Sequence, residues 1–237
     1  MSQFPETRRI PLEYGTDEKS VFNFFNAVYA WMAVGLAVTA AMAWTVAHTP
    51  ALANIMYASR GMIALFAIGA FLIAWGVQSA AEKISAGVAT ALFLVYAALI
   101  GAMISGIFII YNMQTIMAAF LLTGGTFAVM SIYGFVTKRD LTQMGSILVM
   151  CVVGLFLASL VNLWIASNAL SWVITYAVLA VFIGLTAYHT QQLKNLALAH
   201  QHDPNMAARY AIIGSLLLYI AFINMFLSIL RIIGGRK

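Results

Sequence analysis

Polar and charged positions are spaced along this chain so that they punctuate long apolar stretches rather than alternate with apolar residues. Seven runs are free of charge, except for Arg231 near the end of the last: 26–48, 61–81, 84–111, 113–136, 144–166, 170–191 and 210–233. A bilayer core about 30 Å thick takes a helix of roughly 20 apolar residues. Each run meets that length, so the pattern predicts an all-α membrane protein with seven transmembrane helices. The residues before them, 1–25, form a charged tail. The only prolines, Pro5, Pro11, Pro50 and Pro204, fall outside the runs, so no proline-kinked gate is expected.

Several connectors are very short: Glu82-Lys83, Asn112 alone, and Ser167 to Ala169. Helices joined this tightly must be antiparallel neighbours. The long connector after Gln191 is different. Its first part extends the sixth helix, and Asp203-Pro204 then breaks it. No internal repeat is evident, which argues against an inverted-repeat transporter.

Composition supports the pattern. Hydrophobic residues make up 63% of the chain and charged residues 8%, against roughly 25% charged in a soluble domain. The seven runs leave no room for a separate globular domain. The net charge of +5 is scattered at run edges rather than clustered, so nucleic acid is not an expected partner. With the N-terminus inside, Arg8, Arg9, Lys19, Lys83, Lys138, Arg139, Lys194 and Arg209 fall on the inner side, and Arg60, Arg231, Arg236 and Lys237 on the outer. The positive-inside rule favours this orientation. A last segment that re-enters, leaving both termini inside, would place still more charge inward. The length of run seven favours a full crossing. Cys151 stands alone in run five and is expected as a small core residue.

Small residues permit close helix approach in membranes. Run four offers Gly124, Gly125, Ala128, Ser131 and Gly134, and run three Ala98, Gly101, Ala102, Ser105 and Gly106. Trp31, Trp44, Trp164 and Trp172 suit interfacial anchoring. On run seven, Gly214, Leu217, Ala221, Asn224, Ser228 and Arg231 recur at helical spacing and should share a face turned into the bundle. Asn224 there needs a hydrogen-bond partner, while Arg231 is placed to snorkel to the outer interface. On run six, Thr186, His189, Thr190 and Gln192 form a second polar stripe. A water-reached histidine titrates near its ordinary pKa of about 6.5, so His189 is a candidate pH sensor. His200, His202 and Asp203 read as solvated connector residues rather than a metal site.

Absences narrow the chemistry. The chain has no His-Glu-x-x-His run, no acidic residue inside any run, no glycine-rich phosphate loop, no lysine in run seven and no Gly-x-Ser-x-Gly elbow. No catalytic, cofactor or metal site is expected, and the protein is not expected to be an enzyme.

Three groups of residues carry a resemblance. They are Tyr133-Gly134 with Thr137-Lys138-Arg139-Asp140-Leu141; Gly184-Leu185-Thr186-Ala187-Tyr188; and Leu218-Tyr219 with Phe222-Ile223-Asn224. In order and placement the chain resembles the bacterial branch of the Bax inhibitor-1, or transmembrane Bax inhibitor motif, family from about residue 26 onward. The resemblance implies a seven-helix fold whose last helix is central in a six-helix surround, in a bacterial inner membrane with a cytoplasmic N-terminus. In calcium-leak members an aspartate pair on the sixth and seventh helices forms a pH-sensitive latch. Here those positions fall on His189, after Tyr188, and on Ala221, after Tyr219. Two close carboxylates share a proton, and calcium prefers six to eight oxygen ligands. A histidine and an alanine supply no carboxylate, so the acid latch is absent. The resemblance thus implies a passive leak of calcium or other cations with His189 in the latch position. The pore or gate candidates are Thr186, Tyr188, His189, Tyr219, Ala221, Asn224, Ser228 and Arg231. The alternative is a non-conducting regulator that binds other membrane proteins, such as a quality-control protease, through its tail and the Lys138-Arg139 loop.

Overall fold

The computed structural model describes residues 14–57, 60–79, 84–200 and 203–235. The charged tail up to Glu13, the Glu82-Lys83 connector, His202 and the Arg236-Lys237 end lie outside the described residues. All regular structure among the described residues is helical: α1 (Tyr14–His48), α2 (Pro50–Tyr57), α3 (Arg60–Ser79), α4 (Ala86–Ile104), α5 (Ile107–Ile110), α6 (Met113–Val136), α7 (Thr142–Ile165), α8 (Asn168–Ala199) and α9 (Pro204–Gly234).

The helix ends follow local chemistry. Asn112 Oδ1 accepts from the Thr115 N–H at 2.8 Å and starts α6. Ser85 and Ser167 cap α4 and α8 in the same way. Asp203 accepts from the Asn205 and Met206 N–H groups, with Pro204 in the first turn of α9. The Asp203-Pro204 break therefore falls where the sequence places it, and α8 continues to Ala199. The first helix begins well before residue 26 because Val21, Phe24, Phe25 and Val28 recur at helical spacing and all four are buried.

Among the described residues six helices are long and apolar enough to cross a bilayer: 19–48, 86–110, 113–136, 142–162, 168–199 and 205–234. The expected second span is the exception. Its apolar stretch among the described residues is Leu65–Ser79, inside the 20-residue helix α3. The third expected span is not one continuous helix. It breaks at Ser105-Gly106, where Ser105 Oγ donates back to Ala102 O at 2.7 Å and pairs with Tyr57 of α2 at 2.8 Å.

α9 is the most enclosed element. In its most apolar stretch 61% of the residues are buried, against 6% in α7. It packs on α1, α3, α4, α6 and α8, while α7 lies against α8 and α3 against α4.

Close approach is made at some of the expected small residues and not at others. A Cβ on Gly134 would run into the backbone of Ala187, so α6 and α8 touch there main chain to main chain. A Cβ on Gly101 would sit 2.5 Å from Thr39 O, bringing α4 onto α1. Gly124 and Gly125 have nothing within 4 Å. Cys151 is exposed on α7 rather than in the core, because almost all of α7 faces outward. Trp164 is 91% exposed, as suits an interfacial anchor.

Candidate functional site

The polar groups around α9 form separate nodes rather than one continuous track. The first joins three helices. Tyr219 of α9 is fully buried, and its hydroxyl pairs with Thr39 Oγ1 of α1 at 2.5 Å. Thr39 has one hydroxyl hydrogen, shared between the carbonyls of Gly35 and Ala97 at 2.9 and 3.0 Å. Since carbonyls only accept, Tyr219 is the donor to Thr39. The Phe93 and Tyr96 rings of α4 meet the Tyr219 ring edge-on at 5.5 and 5.9 Å.

The second node is a hydroxyl cluster joining α1, α6 and α8. Tyr29 interacts with the side chains of Ser131 and Thr190. Thr190 Oγ1 donates to Thr186 O at 2.8 Å and lies 3.5 Å from Ser131 Oγ. Thr186 and Thr190 are fully buried, and Ser131 is 5% exposed.

The third contains His189. Leu193 lies against Gly214 and Arg231 over the Trp172 ring at 5.6 Å, so α8 and α9 run antiparallel in one register. Stepping four residues from the Leu193–Gly214 contact puts His189 level with Leu218, and three further steps put Thr186 level with Ala221. His189 is half-buried. Its Nδ1 is buried without a hydrogen-bond partner, and Gln192 interacts with the ring. The Tyr188 ring is 5.2 Å away and packs on Gly145 of α7.

The expected inward face of α9 is divided. Gly214, Ala221 and Ser228 are buried, whereas Leu217, Asn224 and Arg231 are half-buried together with Ile220 and Leu227. The reason is that the polar members need no neighbouring helix. Asn224 Nδ2 donates to Ile220 O, and Ser228 Oγ to Asn224 O, each at 2.8 Å within α9. Thr186 does the same with Phe182 O at 2.8 Å. Hydroxyl and amide side chains that bond back one turn are satisfied wherever they face. Arg231 finds its partner in the Trp172 ring. Among the described residues no three His, Cys, Asp or Glu side chains come together.

Sequence reasoning missed Tyr29 and Thr39. For Thr39 a signal was available, because it is the sole hydrogen-bonding side chain between Trp31 and Trp44. It also passed over Gln191, which fastens the α6–α7 connector to α8. Gln191 Oε1 accepts from the Leu141 N–H at 2.8 Å, and Nε2 donates to Arg139 O at 2.7 Å. Lys194 Nζ donates to Phe135 O at 2.9 Å and sits 4.8 Å above the Phe135 ring. Hydrogen bonds from the Thr142 side chain and backbone hold the Asp140 carboxyl below its ordinary range. Its support for the start of α7 is therefore full at neutral pH and is lost as pH falls through the carboxyl range. Lys138 and Arg139 are exposed on this connector. Removing both bonds in Gln191→Ala should cost about 1–3 kcal/mol locally. Trypsin cleavage after Lys138 and Arg139 is expected to accelerate several-fold; an unchanged rate would mean the clamp does not hold the connector.

Two cavities open between α1 and α6. One, of about 430 Å³, has Phe222, Ile223 and Phe226 of α9 along its wall. The other, of about 450 Å³, is lined by Phe22, Asn26, Tyr29, Phe127, Ser131 and neighbours.

Residues 21–237 match the family described as inhibitor of apoptosis-promoting Bax1 (Bax1-I). The chain is 44% identical over 215 residues to the inner membrane protein YbhL of Escherichia coli K12, covering 90% of this chain and 92% of that one. It is 41% identical over 216 residues to an uncharacterized protein of Deinococcus radiodurans, with 91% and 92% covered. With an uncharacterized protein of Borreliella burgdorferi the identity is 37% over 214 residues, covering 90% and 92%.

Proposed function

This chain belongs to the Bax inhibitor-1 family of multipass membrane proteins, and from that premise we propose that it is a passive cation leak, with calcium the leading candidate ion. In this reading α3 completes a seventh span, α9 is the central helix, and the N-terminus is cytoplasmic. A bacterial inner membrane is the natural setting, given the name of the Escherichia coli relative.

The observation that carries the proposal is the unpartnered, buried Nδ1 of His189 beside α9. A buried polar atom without a partner is costly, and such atoms mark places where a proton, a water molecule or a conformational change supplies what is missing. His189 stands where leak members carry one latch aspartate, and Ala221 stands where they carry the other. Both cavities between α1 and α6 are largely apolar-walled, and only the first reaches α9, so ion passage requires α9 to shift against α1, α6 or α8. A protonated His189 puts a positive charge next to that path and opposes cations. Acidification should therefore reduce flux through vesicle-reconstituted protein, and His189→Ala should weaken that dependence. A flux indifferent to pH in the native protein would remove His189 from the gate.

A second reading, a non-conducting regulator that docks other membrane proteins, is favoured by a different observation. The spans contain no carboxylate to coordinate calcium, while Gln191 and Lys194 hold the exposed Lys138-Arg139 connector in a fixed shape. The two readings separate on whether the purified protein conducts.

A further inference from the structure

The slot between α1 and α6 has chemistry of its own. Its 430 Å³ cavity takes walls from α1 at Ala40 and Trp44, from α6 at Met117 and Phe120, and from α9 at Phe222 and Phe226. Thr39 is the one hydroxyl on the wall, and it is already engaged with Gly35, Ala97 and Tyr219. The only other polar side-chain group on this wall is the indole N–H of the exposed Trp44, so the wall carries no charge and suits an apolar occupant rather than an ion. Ala40, Trp44, Met117 and Phe120 are exposed, so the opening faces sideways, out of the helix bundle.

Size decides between the apolar candidates. One turn of a helix about 10 Å across and 5.4 Å long occupies about 420 Å³. The cavity thus holds a single turn, whereas a partner's spanning helix needs roughly 20 residues. A flexible hydrocarbon chain needs no such width. At one end of the slot His48 stacks on Trp44 with ring centroids 3.7 Å apart, where α1 ends. An indole and an imidazole at a helix end suit the headgroup layer, which leaves a lipid's polar part outside and its tail within.

We propose that this slot binds an acyl chain of a bilayer phospholipid, laid against Phe222 and Phe226 of α9. The chain fills the gap between α1 and α6, so the enclosing wall around α9 is completed there by lipid rather than by protein. This assignment is independent of whether the protein conducts ions.

The test is phospholipid retention by the full-length protein after purification and a delipidating detergent wash, with bound lipid counted by native mass spectrometry and identified after extraction. Ala40→Phe fills the slot from an exposed α1 position, and Met117→Phe does so from the rim on α6. Leu121→Phe, 69% exposed and outside the slot, is the control. Native protein and Leu121→Phe should retain phospholipid, and retention should fall about fivefold in Ala40→Phe and in Met117→Phe. Either variant decides the matter if the other does not fold, as judged by its thermal transition. The proposal is overturned by native protein that retains no phospholipid, by retention equal in all folded variants, or by extraction of free fatty acid or detergent alone.

Discussion

Gly134→Ala is expected to lower the stability of the helix bundle by about 1–3 kcal/mol, although alanine is the better helix former. On an unconstrained helix this substitution would gain about 0.8–1.0 kcal/mol. At Gly134 the new methyl would lie on the backbone of Ala187, with its carbonyl oxygen, Cα and carbonyl carbon as nearest atoms. Backbone cannot rotate aside as a side chain can, so α6 and α8 must separate. Separation also draws Ser131 away from Thr190, which already stand 3.5 Å apart, and loosens the hydroxyl cluster with Tyr29. Gly124→Ala and Gly125→Ala on the same helix meet nothing within 4 Å and should be neutral or mildly stabilising. Thermal unfolding of the three variants in one detergent measures the contrast. Equal transition temperatures would show that α6 and α8 are not in backbone contact at Gly134.

Tyr219→Ala should be more damaging, at about 3–5 kcal/mol, the range for removing a buried aromatic side chain. Tyr219 is the largest fully buried side chain in the protein's described part. It fastens α9 to α1 through Thr39 and to α4 through the Phe93 and Tyr96 rings. Tyr219→Phe separates the two contributions. It keeps the ring contacts and removes only the hydroxyl, while Thr39 keeps the Gly35 and Ala97 carbonyls as acceptors. The expected loss is about 1 kcal/mol. A Tyr219→Phe variant as unstable as Tyr219→Ala would mean the hydrogen bond, not ring packing, holds α9 in place.

What was legible in the sequence follows from which forces are local. The run 113–136 coincides with α6, and α9 begins at the Asp203-Pro204 step, because apolar length, capping residues and proline act over a few neighbouring positions. The family, too, was readable from short motifs, and residues 21–237 match it. The break at Ser105-Gly106 was not readable. It depends on Tyr57 arriving from α2, a partner far away in sequence. Nor was the buried side of α9. Polarity suggested that Asn224 would face inward, but Asn224 satisfies itself on Ile220 O. Burial around α9 instead follows the large side chains Leu216, Tyr219, Phe222, Met225 and Leu230, whose packing the surrounding helices determine.

The candidate site divides in the same way. Motif order alone put His189 on the sixth run and Ala221 on the seventh; in the α8–α9 register Ala221 lies level with Thr186 and His189 level with Leu218, about one turn away. The partners of Tyr219 and the hydroxyl cluster around Thr190 needed the tertiary arrangement, since Tyr29 and Thr39 lie in the first helix, far from both in sequence.

Calcium flux into vesicles containing the purified protein tests the leak reading most directly, measured at acidic and alkaline pH beside a His189→Asp, Ala221→Asp double variant. The account predicts flux in the native protein that falls on acidification, and a changed pH response once two carboxylates stand within about one turn of each other on α8 and α9. No flux in the native protein at either pH, with flux appearing only in the double variant, would contradict it and leave the regulator reading in its place.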